Sequence, residues 1–370
     1  MWPALILLAL VGLPVRAESL AIGRDRYQTG DLAGAITAWQ MALSTETNPE
    51  QQRQLHEYLA LSFHQAGRLD EAVEAWQAAL ALEDTLAART ALAEVYLDLG
   101  QPVRAIATLT NQAAFTQIST EPVSLPAAAA MGVLGNAYLS LANSEAAIAA
   151  FAEAIRLARQ DNDIALVASL LNNLGNAYSH RAARAQFEAA TAGLEGELDI
   201  EAERRAAATA DLDQAQAAFA EAIGQDNPLL QAQILLNLNR SLQQTTRPDL
   251  PTIERHQQLA AALLQSLADS SDRVYTLINL ALSLSDPAAQ LELLQEALAS
   301  ADRLSDQRAR SFAQGSIGLI YERLGNNDLA LQWTAPSPTR GSKCARIVSI
   351  AGNGRQPACS PRTVIARVQS

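Results

Sequence analysis

Residues 134–155 read LGNAYLSLANSEAAIAAFAEAI, and the spacing within this stretch decides the fold. Ala147, Phe151, Ala154 and Ile155 fall at i, i+4, i+7 and i+8. That period puts all four on one side of a helix. Twelve residues before Ala147 lies Gly135, flanked by Leu134 and followed three positions later by Tyr138. A residue without a side chain lets two helices approach closely, and the bulky residue beside it fills the adjoining space. The turn signal Ala142-Asn143 separates the two runs, so the stretch predicts helix, short turn, helix.

The same quartet recurs as Ala35-Trp39-Ala42-Leu43, Ala72-Trp76-Ala79-Leu80 and Ala215-Phe219-Ala222-Ile223. Partner runs precede most of them: Leu59-Ala60…Phe63, Leu92-Ala93…Tyr96, Leu174-Gly175…Tyr178 and Ile317-Gly318…Tyr321. A unit that repeats at this scale cannot bury its apolar face alone and must stack on its neighbours. The reading is an all-α solenoid of about eight helix-turn-helix repeats. Ala and Leu dominate the apolar content, and alternating β-branched runs are nearly absent, so a sheet is not expected.

Eight pairs follow along the chain, at 20–46, 51–83, 85–112, 128–158, 170–223, 229–267, 272–300 and from 308. The third is degenerate in its second helix, where Leu109 and Gln112 replace the aromatic and the second Ala. A stretch from Thr116 to Pro126 has no helical period and marks a break. The fifth pair is enlarged. Gly135 lies 12 residues before Ala147, but Gly175 lies 40 before Ala215, which leaves 28 inserted residues. With Gly193 and Gly196 as the breakers, about 180–208 reads as an antiparallel helical hairpin closed at its tip by Phe187, Leu194, Leu198 and Ile200. A mobile charged loop is the competing reading.

Both ends differ from the repeats. Residues 1–17 carry an apolar run and small residues before Glu18, as a secretory signal peptide does. The run is too short to cross a bilayer comfortably. No Lys or Arg precedes it, and a retained anchor or a buried first helix is the alternative. No later segment is apolar enough to span a membrane once the leader is removed. The expected location is therefore exported, periplasmic or secreted. After Thr334 the helical period stops within a turn. Residues 335–370 hold six basic and no acidic residues, both cysteines and the sole lysine, Lys343. This is read as a basic disordered tail, or as the product of an altered reading frame.

The runs Leu174-Gly175-Asn176-Ala177-Tyr178 and Gly67-Arg68-Leu69-Asp70-Glu71-Ala72-Val73-Glu74-Ala75-Trp76 resemble tetratricopeptide repeats. The resemblance covers roughly 20–334 and implies a right-handed superhelical solenoid over 18–334. With its leader, Ala-rich repeats and one enlarged repeat, the chain also resembles the amino-terminal region of bacterial proteins that carry a caspase-like CHAT domain after the repeats; no such domain is visible in this sequence.

No chemistry for bond breaking stands out. The four histidines, His56, His64, His180 and His256, form no zinc-hydrolase pair, and no Gly-rich phosphate loop occurs. No enzyme, cofactor or metal is expected. The net charge of −12 opposes a nucleic-acid partner. A protein or peptide partner is expected instead. In the resembled family the first helix of each pair lines the concave surface. By that geometry the groove includes Glu57, His64, Glu94, Asp98, Asn136, Asn172, Asn176 and His180. The strip is acidic at one end and amide-rich at the other, suited to basic side chains and to an extended peptide backbone. Asn173, Asn237 and Asn279 share one position in three successive pairs, which favours hydrogen bonds between repeats as a competing use. With no lysine in the repeats, the family's basic clamp for carboxylate termini is not visible. The alternative function is a recognition arm of a CHAT-type protease system.

Overall fold

The computed structural model describes residues 17–110, 125–224 and 226–334. Among the described residues there are sixteen α-helices and no strand. In chain order they are α1 (Ala17–Gln28), α2 (Leu32–Thr45), α3 (Pro49–Gln65), α4 (Leu69–Leu82), α5 (Leu86–Asp98), α6 (Pro102–Thr110), α7 (Leu125–Ser140) and α8 (Ser144–Gln160). There follow α9 (Ile164–Glu195), α10 (Leu198–Ala222), α11 (Pro228–Gln243), α12 (Leu250–Gln265), α13 (Ser271–Ser283), α14 (Pro287–Leu304), α15 (Gln307–Arg323) and α16 (Asn327–Thr334). Each odd-numbered helix precedes its even-numbered partner, giving eight pairs. The proposed leader, residues 116–124 of the break and the tail at 335–370 lie outside the described residues; Ala17 opens α1, and Leu125 and Pro126, read as part of the break, instead open α7.

Local chemistry starts the helices where the pattern requires. Asp31, Asn48, Asn143 and Asp163 each accept a hydrogen bond from the backbone N–H three residues on, satisfying donors that the first turn leaves unpaired. Pro49, Pro228 and Pro287 occupy first-turn positions, where no backbone N–H is needed. The turns inside the first four pairs each hold one left-handed residue. Gly30, Gly67 and Gly100 supply it with φ between 70° and 83°; in the fourth pair Ala142 holds φ 57° in their place.

The seams between paired helices match the small-against-ring reading. Trp39, Trp76, Phe151 and Phe219 are all buried. A methyl group added at Gly135 would come within 2.6 Å of the Phe151 ring, and one at Gly175 within 2.5 Å of Phe219. Only a glycine admits the ring at that depth. One apolar core runs from Ala35 through these seams to Leu238, so it crosses the boundaries between pairs. The sixth pair closes differently. Asn239 stands where the other pairs place the small residue, fully buried, and donates to the Ile253 carbonyl at 3.0 Å while its oxygen meets His256 Nδ1 at 2.8 Å. A directed polar contact there replaces the apolar seam.

The fifth pair forms a hairpin of 32 and 25 residues, turning at Gly196 with φ 81°. Its outer part has a small core of its own, Ala182, Ala185, Ala208 and Leu212. The Arg181–Asp211 ion pair, 2.6 Å, ties the two helices beside it. Phe187, Leu194, Leu198 and Ile200 do not close the tip, contrary to the sequence reading; they are 74%, 90%, 69% and 43% exposed. Alanines on the facing sides allow the helices to approach too closely for large side chains between them.

The chain divides into two compact units, the second beginning at Gln314. Its described part, 314–334, pairs the end of α15 with α16. A methyl group at Gly318 would meet Thr334 Cγ2 at 2.5 Å, so a threonine takes the place that rings fill elsewhere.

Two stability measurements follow. Trp76→Ala removes a side chain with 1% exposure and is expected to cost about 3–5 kcal/mol in urea unfolding. Ala142→Gly relieves a left-handed alanine and is expected to add about 1 kcal/mol in the same assay, whereas Gly67→Ala, the converse change, lowers stability.

Candidate functional site

The residues expected to bind lie on the first helices of the second to fifth pairs, α3, α5, α7 and α9. At the amino-terminal end, His64 of α3 and Asp98 of α5 are joined through Nε2 and Oδ2 at 2.6 Å. Glu94 lies one turn before Asp98. Desolvation pushes its carboxyl up to about 7; His64 opposes the rise and Asp98 adds to it. Three titratable groups from two repeats thus form one cluster, although 34 residues separate His64 from Asp98.

Glu57 is not part of that cluster. It is buried and paired with Arg53, which also holds Glu50 at 2.6 Å and Glu83 at 2.9 Å. Burial raises the Glu57 pKa against the pull of Arg53. The side chain acts within the second pair, where Arg53 bridges α3 to the end of α4, and presents little to a ligand.

Further along, amides link three repeats. Asn173 Nδ2 donates to Asn136 Oδ1 at 3.2 Å, joining α9 to α7. Asn237 Nδ2 donates to Asn172 Oδ1 at 2.9 Å, joining α11 to α9. Asn172 Nδ2 lies 3.5 Å from Asn173 Oδ1 and connects the two contacts. Gln233 Nε2 continues the line to Thr276 Oγ1 on α13 at 3.3 Å. Asn136 and Asn172 therefore serve the joints between repeats, the competing use noted from the Asn173 and Asn237 register. Asn279 shares the register but is exposed and joins no contact in this ladder.

Asn176 and His180 make no hydrogen bond within the described residues and share a face of α9 with Asn173. Beside them lies Arg240 of α11. Burial lowers the His180 pKa and the Arg240 charge lowers it further; burial also lowers that of Arg240. Sequence reasoning missed Arg240 by seeking a basic clamp in lysines. The signal was present: Leu238-Asn239-Arg240 aligns with Leu134-Gly135-Asn136 and Leu174-Gly175-Asn176. Together Asn176, His180 and Arg240 offer amide, imidazole and guanidinium groups that can donate to carbonyl or carboxylate oxygens. Among the described residues, no group of three His, Cys, Asp or Glu is placed to hold a metal, and no helix is long and apolar enough to cross a membrane.

Models of the tetratricopeptide repeat match residues 20–91, 59–114 and 128–161. These matches fall within the helix pairs α1 to α6 and the pair α7 and α8, and the later pairs have the same helix-turn-helix build. A search of curated protein sequences returns no match. Among solved structures, the chain is similar to MamA, with 19% identity over 55% of this chain and 92% of that one at a TM-score of 0.39. It is similar to a Rap protein solved with competence and sporulation factor, with 14% identity over 85% and 77% at 0.46. A tetratricopeptide repeat protein from Parabacteroides merdae gives 14% identity over 80% and 98% at 0.45. At such scores the assignment of the repeats rests on the helix pairs and on the matching repeat models.

The ladder has a measurable worth. Asn172→Ala leaves the Asn237 amide without its acceptor in a buried joint, and is expected to cost about 1–3 kcal/mol. Hydrogen exchange should report faster opening of α11 than of α3 in that variant.

Proposed function

We propose that the chain is an exported scaffold that binds an extended segment of a partner protein along the concave face formed by its first helices. The observation that carries this reading is the set Asn176, His180 and Arg240. These polar groups come from two neighbouring repeats, lie beside the amide ladder, and are not consumed by it. Arg240 and His180 suit a carboxylate or a row of backbone carbonyls. Glu94 and Asp98, at the other end, suit a lysine or arginine on the same ligand. The ligand that fits is an extended peptide with opposite charges at its two ends. Nothing in this reading breaks a bond; the mechanism is equilibrium recognition. Phosphate backbones are disfavoured by the net charge of −12.

The ladder contributes by holding the spacing between repeats. A groove whose repeats are already in register loses less freedom when a ligand enters, which favours affinity. Export rests on the leader pattern of residues 1–17.

A second reading is favoured by the enlarged fifth pair: a recognition arm of a CHAT-type caspase-like protease system, acting on a separate chain or on a longer product of the same gene. Sequencing the coding region through and beyond codon 370 separates the two, because a protease region in frame supports the arm.

Peptides selected from a random displayed library on the immobilised full chain should bind in calorimetry and lose at least tenfold in affinity to Asn176→Leu and to Arg240→Ala. Selected peptides that bind both variants as well as the parent count against the groove. Amino-terminal sequencing of the protein from an envelope or secreted fraction should begin at Glu18; recovery only as a cytoplasmic chain starting at Met1 counts against export.

A further inference from the structure

The groove-facing stripe of α9 does not stop where the repeat stops. Asn173, Asn176 and His180 are followed on the same side of the helix, seven and fourteen residues past His180, by Phe187 and Leu194. At about 1.5 Å per residue, Leu194 lies about 27 Å along the axis from Asn176. Phe187 and Leu194 are the most exposed of the hairpin's large apolar side chains. Leu198 follows across the turn. The facing sides of the hairpin are filled by alanines and Leu212, so these large side chains are not needed to hold the two helices together. Scattered single apolar residues on a surface are ordinary; several large ones at one end of an otherwise Ala-, Glu- and Arg-rich hairpin mark an interaction surface.

The surrounding charge selects the occupant. Residues 195–203 contain five carboxylates and no basic side chain; Arg204 and Arg205, which follow, are paired with Glu188 and Glu201. Glu201 is held by Arg205 at 2.6 Å, while Glu195, Glu197, Asp199 and Glu203 are exposed. An apolar surface rimmed by carboxylates repels an anionic membrane and a second copy of itself, and attracts a basic partner.

We propose that the end of the hairpin is a second recognition surface, which receives a basic amphipathic helix of the partner protein, its apolar side on Phe187, Leu194 and Leu198 and its lysines or arginines facing the carboxylates of the tip. Its continuity with the groove rests on the reading of Asn176 and His180 given above; the apolar and charged features of the tip do not. A partner would then engage by two segments, an extended one in the groove and a helical one on the hairpin, and two linked contacts bind more tightly than either alone.

The test uses the full chain and a synthetic 18-residue amphipathic Leu/Lys peptide, with a Leu/Glu peptide of the same apolar pattern as control. In calorimetry the Leu/Lys peptide should bind one-to-one and the Leu/Glu peptide at least tenfold more weakly. Phe187→Ser combined with Leu194→Ser should weaken the Leu/Lys peptide at least tenfold. Both positions are exposed, and an unchanged melting temperature confirms that the fold is retained. Asn176→Leu should leave this binding unchanged, so a failure of the groove and a failure of the hairpin read out separately. Three outcomes overturn the proposal: equal binding of the Leu/Lys peptide by the double variant and the parent; cosedimentation of the parent but not the double variant with phosphatidylglycerol vesicles, which assigns the surface to a membrane; or a parent dimer in light scattering that the double variant abolishes, which assigns it to self-association.

Discussion

Close approach of a glycine to an aromatic ring is the contact that sets the helix separation in the first, fourth and fifth pairs. Gly135 against Phe151 and Gly175 against Phe219 bring paired helices to a separation that no larger residue permits. Once that distance is set, the flanking leucines and alanines fall into a core continuous from one pair to the next. Stability of such an array is a sum over neighbouring contacts, with no single globular centre. The first helices of successive pairs are thereby brought side by side, and groups far apart in sequence become neighbours. His64 and Asp98 meet in this way, as do Asn172 and Asn237.

That arrangement divides polar residues into two kinds of work. Glu57, Asn136 and Asn172 are engaged within or between repeats. Asn176, His180 and Arg240 occupy the same surface and keep their polar groups available. A buried amide that already has partners gains little from a ligand, whereas an uncommitted one gains the full difference.

Periodicity made the helices legible, because apolar residues at i, i+4, i+7 and i+8 have one physical solution. It also exposed the Asn173 and Asn237 register, since equivalent positions in stacked units lie opposite one another. It failed for Asn279, where identical spacing leads to solvent, because register alone does not supply an acceptor on the next helix. It failed at the hairpin tip for a related reason. Phe187, Leu194, Leu198 and Ile200 were placed inside on hydrophobicity, but alanines decide the helix separation and leave no room. Arg240 was passed over because the search for positive charge followed lysine. The sixth-pair seam was obscured by Asn239, a polar residue at a position that elsewhere requires smallness.

The amide ladder has a mechanical consequence. Apolar seams resist separation but yield to small sliding motions, since dispersion has no preferred direction. Hydrogen bonds between side-chain amides are directional, and those on α7, α9, α11 and α13 cross three successive joints. Each of those joints carries one such bond, and the joint between the second and third pairs carries the His64–Asp98 link together with Gln77 Nε2 donating to Tyr96 Oη at 3.2 Å. Sliding of one repeat past the next must therefore break an oriented bond at each of these joints, so the ladder fixes a register that the apolar seams alone would let drift.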